Sequence, residues 1–111
     1  MQFDFEFDTM TTRHRYRKEI PKDTCGVYFL ANKDMKLLYI GRAKNIISRI
    51  STHKGPQCHI TDPNIKPLFD TFYFIGIKFY PNQWKAKQIE EALIELIKPP
   101  CNTIGVTIGV M

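Results

Sequence analysis

The chain has 111 residues, of which 43% are hydrophobic and 13% are aromatic, as is typical of one folded domain and not of a disordered segment. Sixteen Lys and Arg against eleven Asp and Glu give a net charge of +5, which favours a polyanionic partner. No apolar run reaches the roughly 20 residues of a membrane span, and the N terminus lacks the apolar block of a signal peptide. We therefore expect a cytoplasmic protein that does not contact a membrane.

The cysteines argue against both disulfides and zinc. Cys25, Cys58 and Cys101 are odd in number and far apart, so neither a disulfide framework nor a zinc site is expected. His53 and His59 flank Cys58, but no Cys-x-x-Cys or His-x-x-x-His pair accompanies them. A reducing intracellular compartment fits this cysteine usage best.

The first 23 residues are predicted to form a strand followed by a basic arm. Phe3, Phe5 and Phe7 alternate with acidic residues, which predicts a half-buried strand over the first eight residues. Residues 13–18 then hold four of the sixteen positive charges. This segment is either a solvated linker or an arm that lies along a phosphate backbone. In the second case, the phosphate contacts would come from Arg13, Arg15, Arg17 and Lys18.

A hairpin is predicted next. Two β-rich runs, at 25–31 and 36–41, are separated by four residues that are typical of a short hairpin loop. A loop of that length would place Tyr28 directly opposite Tyr39, with their side chains on one face and their Cβ atoms about 5 Å apart. Two phenols would then stand together on one surface of the sheet.

The remaining pattern predicts a helix, a loop, a strand and a second helix. The first helix is expected over 43–53, with an apolar stripe at Ala43, Ile46, Ile47 and Ile50 and a polar row at Asn45, Arg49 and His53. The loop at 55–67 is long for a compact domain and indicates a functional or mobile segment. An apolar central strand over 71–80 precedes the second helix, over 83–98. Residues 103–111 repeat Thr-Ile-Gly-Val twice and fit a strand with a glycine bend.

Glu90 is the anomaly of the second helix. The predicted buried stripe consists of Ala86, Ile89, Leu93, Leu96 and Ile97. Glu91 and Glu95 fall on the solvated row of Lys87, whereas Glu90 falls on the core side, where a carboxylate is costly unless a cation compensates it. Glu90 is therefore a functional carboxylate, a partner of Arg49 in a partly buried ion pair, or a residue at the edge of the core, unless the periodicity is wrong by one residue.

The spacing of these residues resembles that of a known family. Gly26-Val27-Tyr28 and Tyr39-Ile40-Gly41 resemble the two motifs that name the GIY-YIG nucleases. Arg49 follows Tyr39 by ten residues, His53 follows one turn later, and Asn102 lies twelve residues after Glu90, as in the family. The stretch 39–46 also resembles the nuclease domain of bacterial excision-repair incision proteins. The resemblance covers about 24–102, which leaves 1–23 as the strand and basic arm and 103–111 as a tail.

The resemblance implies an α/β (α+β) fold with a small, mainly antiparallel β-sheet flanked by helices. It implies a metal-dependent DNA endonuclease in which Glu90 binds one Mg²⁺ or Mn²⁺ and Arg49 holds a phosphate oxygen. A tyrosine would act as general base: Tyr28 is favoured, with Tyr39 and His53 orienting the water and the phosphate, and the reverse assignment stays open. Asn102 would be an orienting hydrogen-bond partner. No small-molecule cofactor is implied.

One departure and two rival functions accompany this resemblance. Some members carry a lysine where this chain has Arg42, which supplies positive charge but cannot accept a proton. Further DNA contacts are expected from Arg42, Lys44 and Asn45. The main alternative is a catalytically silent domain that binds DNA or protein. A second alternative, a basic RNA-binding module, would need an exposed aromatic surface on its sheet, whereas the aromatic strand at 71–80 is predicted to be buried. Because 111 residues leave no room for a DNA-targeting domain, we expect that sequence recognition comes from a targeting partner protein, from a homodimer or from the 55–67 loop, or is absent.

Overall fold

The computed structural model describes residues 6–102. These residues form the strands β1 (Thr9–Thr12), β2 (Gly26–Ala31), β3 (Leu37–Ala43) and β4 (Phe74–Phe79), the helices α1 (Tyr16–Glu19), α2 (Ile46–Lys54), α3 (Lys66–Phe69) and α4 (Gln83–Ile97), and a 3-10 turn (Pro100–Asn102). The strands make one sheet in the order β1-β4-β2-β3, and each neighbouring pair is antiparallel. The predicted fold class is confirmed. The predicted tail repeat lies outside the described residues.

The central strand β2 divides the core into two layers. Side chains alternate between the faces of a strand, so Tyr28 and Leu30 pack with the layer that contains α2 and α3, whereas Val27 and Phe29 pack against α4. All six residues of β2 are buried, because strands and helices enclose it on every side. The first layer contains both tyrosines of the hairpin and is therefore the layer in which the site forms.

The predicted hairpin register is wrong by two residues. Tyr28 lies opposite Gly41, and Leu30 lies opposite Tyr39. One residue of this shift comes from the loop, because Ala31 pairs with Leu37 and not with Lys36, and the other comes from an irregularity between Leu30 and Ala31. Within the loop, the Asn32 side chain accepts hydrogen bonds from the backbone N–H groups of Asp34 and Lys36. A shift of two residues preserves the face on which each side chain lies, so the two phenols still share one surface, as diagonal neighbours.

The helices follow their predicted positions with local differences. Asn45 is the N-cap of α2 and accepts a hydrogen bond from the Ser48 N–H, so the helix begins at Ile46, and Ala43 is instead the last residue of β3. In α4 the prediction that Leu96 is buried is wrong: 80% of Leu96 is exposed, because it lies on the flank of the packed face. Ile94 packs there in its place.

The N-terminal segment differs most from its prediction. Residues 6–8 are not a strand, and β1 begins only at Thr9; Phe3 and Phe5 lie outside the described residues. Phe7 nevertheless packs on Phe29, with ring centroids 5.0 Å apart. Among residues 6–102, no helix is long and apolar enough to cross a bilayer.

Candidate active site

The hairpin and α2 bring Tyr28, Tyr39 and His53 together. The two phenol rings lie 6.2 Å apart, and the Tyr28 hydroxyl makes a hydrogen bond of 2.7 Å with His53 Nε2. Gly41 makes this arrangement possible, because a Cβ atom at that position would lie 2.4 Å from the Tyr28 hydroxyl oxygen. Gly41 of the Tyr39-Ile40-Gly41 motif therefore leaves room for the side chain of Tyr28.

A second pair of residues reaches the tyrosines from the loop after α2. His59 Nε2 lies 3.3 Å from the Tyr39 hydroxyl, and Cys58 Sγ lies 3.5 Å from His53 Nδ1. The sequence interpretation considered these two residues only as zinc ligands and missed the contact of His59 with Tyr39 and that of Cys58 with His53. The signal available in the sequence was their proximity to His53, together with the unusual length of the loop.

Burial separates the two tyrosines chemically. Tyr28 is fully buried, and this burial, aided by the nearby charge of Tyr39, raises its pKa well above the ordinary value. Burial and the negative charge of Glu90 raise the pKa of Tyr39 to about 12. Tyr28 is the more deeply buried of the two phenols, at 0% exposed against 9% for Tyr39. Tyr39 is therefore the phenol that ionises more easily.

Both histidines are held neutral near physiological pH. Burial, with the nearby His59, lowers the pKa of His53 from 6.5 to about 3. Burial and the positive charge of Arg49 lower the pKa of His59. Neutral imidazole has one nitrogen that accepts a hydrogen bond and one that donates, so each ring can link two partners.

Glu90 lies on the packed face of α4, as predicted, but its partner is not Arg49. The side chain is only 16% exposed, and its Oε1 lies 3.6 Å from Nε of Arg42 in an ion pair. Burial raises the pKa of Glu90, and the positive charge of Arg42 opposes that rise. The Arg42 Nε is itself buried and has no hydrogen-bond partner among the described residues, since 3.6 Å exceeds hydrogen-bond length.

Arg49 is the free cation of the site. Its side chain is exposed, and no ion pair or hydrogen bond to another of the described residues is found for it. Its positive charge lowers the pKa values of both tyrosines and of Glu90. One guanidinium is thus close to every ionisable group of the site while its own donors remain available to a ligand.

Asn102 holds the second motif in place. Its side-chain oxygen accepts the Ile40 N–H, and its amide donates to the Ile40 carbonyl, both at 2.9 Å. The residue thereby ties the 3-10 turn to the backbone of β3 between Tyr39 and Gly41. This pair of hydrogen bonds fits the orienting role that was expected of Asn102.

The donor set fits a hard cation. Within residues 6–102, no three His, Cys, Asp or Glu side chains converge on a common metal position. The half-buried carboxylate of Glu90 is the oxygen donor that this site could offer, and oxygen donors with several waters are what Mg²⁺ prefers. A soft or multi-ligand metal such as zinc would need nitrogen or sulfur donors arranged around it.

A concave polar surface flanks the start of α2. A cleft of about 610 Å³ lies between the beginnings of α2 and α4 and is lined by Lys44 and Asn45, among others. A neighbouring cleft of about 540 Å³ is lined by Arg17 and Lys22. Asn45 borders both clefts but uses its side chain to cap the helix, so the cations Lys44, Arg17 and Lys22 are the available phosphate ligands here.

The basic arm is folded against the domain and is not a solvated linker. Tyr16 is buried, and the guanidinium of Arg13 donates to the carbonyls of Asp70 and Phe72 while it lies 4.4 Å from the Phe72 ring. Arg17 donates to Ser51 Oγ. Arg15 and Lys18 are exposed. Arg13 thus stabilises the packing of this segment against residues 70–72, whereas Arg15 and Lys18 remain available to a partner.

The sequence matches the family model of the GIY-YIG catalytic domain over residues 24–104. Among its relatives are UvrABC system protein C of Wolbachia pipientis from Culex pipiens, 30% identical over 92 residues, and that of Methanococcus maripaludis, 30% identical over 84 residues. These matches cover 81% and 76% of this chain but 15% of each relative. The chain thus spans about one seventh of the length of these relatives.

Solved structures show the same fold. The GIY-YIG N-terminal endonuclease domain of UvrC from Thermotoga maritima, solved bound to its catalytic divalent cation, magnesium, superposes with a TM-score of 0.59 at 23% identity. The match covers 74% of this chain and 86% of that one. The antiparallel sheet and its flanking helices are therefore shared with that domain.

Proposed function

Because this chain belongs to the GIY-YIG family, we propose that it is a DNA endonuclease that hydrolyses phosphodiester bonds with one divalent cation, Mg²⁺ or Mn²⁺. The observation that carries the proposal is Arg49, an exposed guanidinium without a partner among the described residues, placed close to the tyrosine pair and Glu90. Hydrolysis of a phosphodiester needs an activated water, neutralisation of charge at phosphorus and stabilisation of the leaving oxygen. This cluster contains a group for each task.

Glu90 would hold the cation, which supplies Lewis-acid stabilisation of the phosphate and of the leaving 3′ oxygen. Arg49 would bind a non-bridging phosphate oxygen, for which a planar guanidinium is well suited. Arg42 has two roles in this proposal. It would neutralise Glu90 before the substrate arrives, and its positive charge would then help to stabilise the charge at phosphorus.

Tyr39 is the phenol that we assign as general base. It ionises more easily than Tyr28 because burial, the main cause of both raised pKa values, is less complete at Tyr39, which is partly accessible, whereas Tyr28 is fully buried. A phenolate at Tyr39 would take a proton from the attacking water, and Tyr28 and His53 would hold that phenol in place. This reverses the assignment that the sequence favoured.

The DNA backbone would run along the concave surface at the start of α2. Lys44, Lys22 and Arg17 line its two clefts, and the same helix carries Arg49 and His53 into the site. Exposed cations that follow a concave surface attract a phosphate backbone by charge alone. The contacts of Arg15 and Lys18 would extend this surface.

The Arg42–Glu90 ion pair also favours a second candidate, a catalytically silent domain that binds DNA or protein. An arginine that occupies the carboxylate could exclude the cation altogether. The free Arg49 and the preserved tyrosine pair support the active enzyme over this alternative, because binding alone requires neither.

The biological setting is a further part of the proposal. The relatives are components of the UvrABC system, so a role in DNA repair is the first to examine, with restriction and mobile-element functions as the other settings. Target recognition would come from a partner protein or from a homodimer. All three cysteines are unpaired, which fits a reducing intracellular compartment.

The test is cleavage of supercoiled plasmid by purified protein with Mg²⁺, with EDTA and with the Glu90→Ala variant. We expect nicked or linear DNA only from the wild-type protein with Mg²⁺. Cleavage that survives both EDTA and Glu90→Ala would overturn the metal-dependent mechanism. Binding without cleavage across several DNA forms would favour the silent domain.

A further inference from the structure

The loop between α2 and α3 presents one polar side chain to the tyrosine pair. Cys58 and Ile60 are 6% and 2% exposed, so both are anchored in the core, and His59 between them is exposed. Anchors on either side fix the backbone of His59. They place its Nε2 3.3 Å from the Tyr39 hydroxyl.

The hydrogen bonds of the cluster form two sets, one on each tyrosine. If the Cys58 thiol donates to His53 Nδ1, then His53 Nε2–H donates to the Tyr28 oxygen. Tyr39, whose ring centroid lies 6.2 Å from that of Tyr28, donates instead to His59 Nε2. The buried set therefore ends at Tyr28, and Tyr39 is the phenol that is joined to an exposed imidazole.

The surroundings of His59 keep its acceptor nitrogen available. From α2, His53 and Arg49 face the ring, and from β3, Tyr39 faces it. Burial and the Arg49 charge lower the pKa of His59, so the ring is neutral near physiological pH. Its Nδ1–H can exchange with water because the side chain is exposed.

We propose that His59 is a positioning residue that draws the hydroxyl proton from Tyr39 and passes it to solvent, an inference that rests on the proposed nuclease function. The O–H bond of Tyr39 breaks as an N–H bond forms at His59 Nε2, and Nδ1 releases its proton to water. The Tyr39 oxygen then forms a new O–H bond with the proton of the attacking water, whose electron pair forms the bond to phosphorus. The leaving 3′ oxygen takes its proton from solvent, so protons balance.

His53 cannot replace His59 in this role. It is 1% exposed, and its two ring nitrogens already contact Tyr28 and Cys58. A proton accepted there would have no path to water. His59 is the histidine of the pair that joins Tyr39 to solvent.

The experiment compares single-turnover cleavage of a labelled duplex by wild-type protein and by His59→Ala, His59→Gln and Gln57→Ala. Gln57 is an exposed residue of the same loop and is the matched control. We expect both His59 variants to cleave at least ~10-fold more slowly with unchanged DNA affinity, because glutamine accepts a hydrogen bond but cannot carry a proton. Added imidazole should restore His59→Ala, whose site is open to solvent, and should leave His59→Gln unchanged.

Three results would overturn the inference. Wild-type rates in His59→Ala or His59→Gln would show that no proton passes through this residue, and a slow His59→Ala that imidazole does not restore would assign it a structural role. An equal loss in Gln57→Ala would assign the effect to the loop as a whole. If the wild-type protein cleaves nothing, the proposed function fails and this inference fails with it; if it cleaves and Glu90→Ala does not, only His59 is in question.

Discussion

The two tyrosines of the hairpin differ mainly in what surrounds their hydroxyl groups. Tyr28 is enclosed, and its hydroxyl lies 2.7 Å from His53 Nε2, whereas Tyr39 retains some access to solvent and its hydroxyl lies 3.3 Å from Nε2 of the exposed His59. A general base must meet the water that it deprotonates. Because both residues are tyrosines, their identity does not show which one is the general base and which one positions it. Their difference in burial distinguishes the two.

Replacing each tyrosine by phenylalanine should separate the roles. Tyr39→Phe should slow single-turnover cleavage by about 10² to 10⁴-fold, the usual contribution of a general base, with unchanged DNA affinity. Tyr28→Phe should instead destabilise the fold by about 1–3 kcal/mol, because it leaves a buried histidine nitrogen without its partner, and should slow cleavage less.

Rates from quenched-flow cleavage and free energies of unfolding from urea titration distinguish these outcomes. A Tyr39→Phe protein that cleaves at the wild-type rate, beside an inactive Tyr28→Phe protein that is folded and binds DNA, would return the base to Tyr28.

In the β2–β3 hairpin, Gly41 determines whether Tyr28 and Tyr39 can both lie on one face of the sheet. A Cβ atom there would lie 2.4 Å from the Tyr28 ring, which is far inside van der Waals contact. Gly41→Ala should therefore displace the Tyr28 ring from His53 and destabilise the protein by about 1–3 kcal/mol or more.

Gly55→Ala is the matched control, because a Cβ atom at Gly55 would meet its nearest neighbour at an ordinary 3.5 Å. Urea titrations of the two variants should differ clearly. Equal stability of Gly41→Ala and the wild-type protein would contradict the packing of Tyr28 across Gly41.

The same elements show what the sequence could and could not predict. Period-two and helical patterns are local, so the antiparallel hairpin, α2 and α4 were predicted within a few residues. The hairpin register depends on how the loop at Asn32 closes and on an irregularity between Leu30 and Ala31, and neither has a periodicity. The face of Glu90 followed from the pattern of α4, but its pairing with Arg42 depends on how α4 packs against β3. The role of His59 needed the path of an irregular loop.

For the whole molecule, the buried His53 couples stability to pH. Its pKa is about 3 in the folded protein and 6.5 in the unfolded chain, so between these values the unfolded chain binds more protons. Stability must therefore fall as the pH falls from 6.5 towards 3. From pH 7 to pH 5, this residue alone should reduce the free energy of unfolding by about 2 kcal/mol, since each pH unit below 6.5 costs ~1.4 kcal/mol.

Urea titrations of the wild-type protein and of His53→Gln at both pH values measure this contribution. The carboxylates and His59 titrate in both proteins, so their effects cancel in the comparison. A variant that loses as much stability as the wild-type protein over this range would show that His53 is not the group responsible.

We propose that the half-buried carboxylate of Glu90 in α4 makes this fold a metal-dependent nuclease. Glu90 and Glu91 are adjacent residues of equal charge on the same helix, but Glu90 faces the site and Glu91 is exposed. Substituting either with glutamine changes the net charge equally, so a general loss of electrostatic balance would affect both variants alike.

The most direct test is therefore the Mg²⁺-dependent cleavage rate of Glu90→Gln beside Glu91→Gln, measured on one labelled duplex after equal DNA binding has been verified. We expect Glu91→Gln to cleave like the wild-type protein and Glu90→Gln to be at least ~100-fold slower at every Mg²⁺ concentration, because metal catalysis contributes several kcal/mol. Equal rates for the two variants would contradict this proposal.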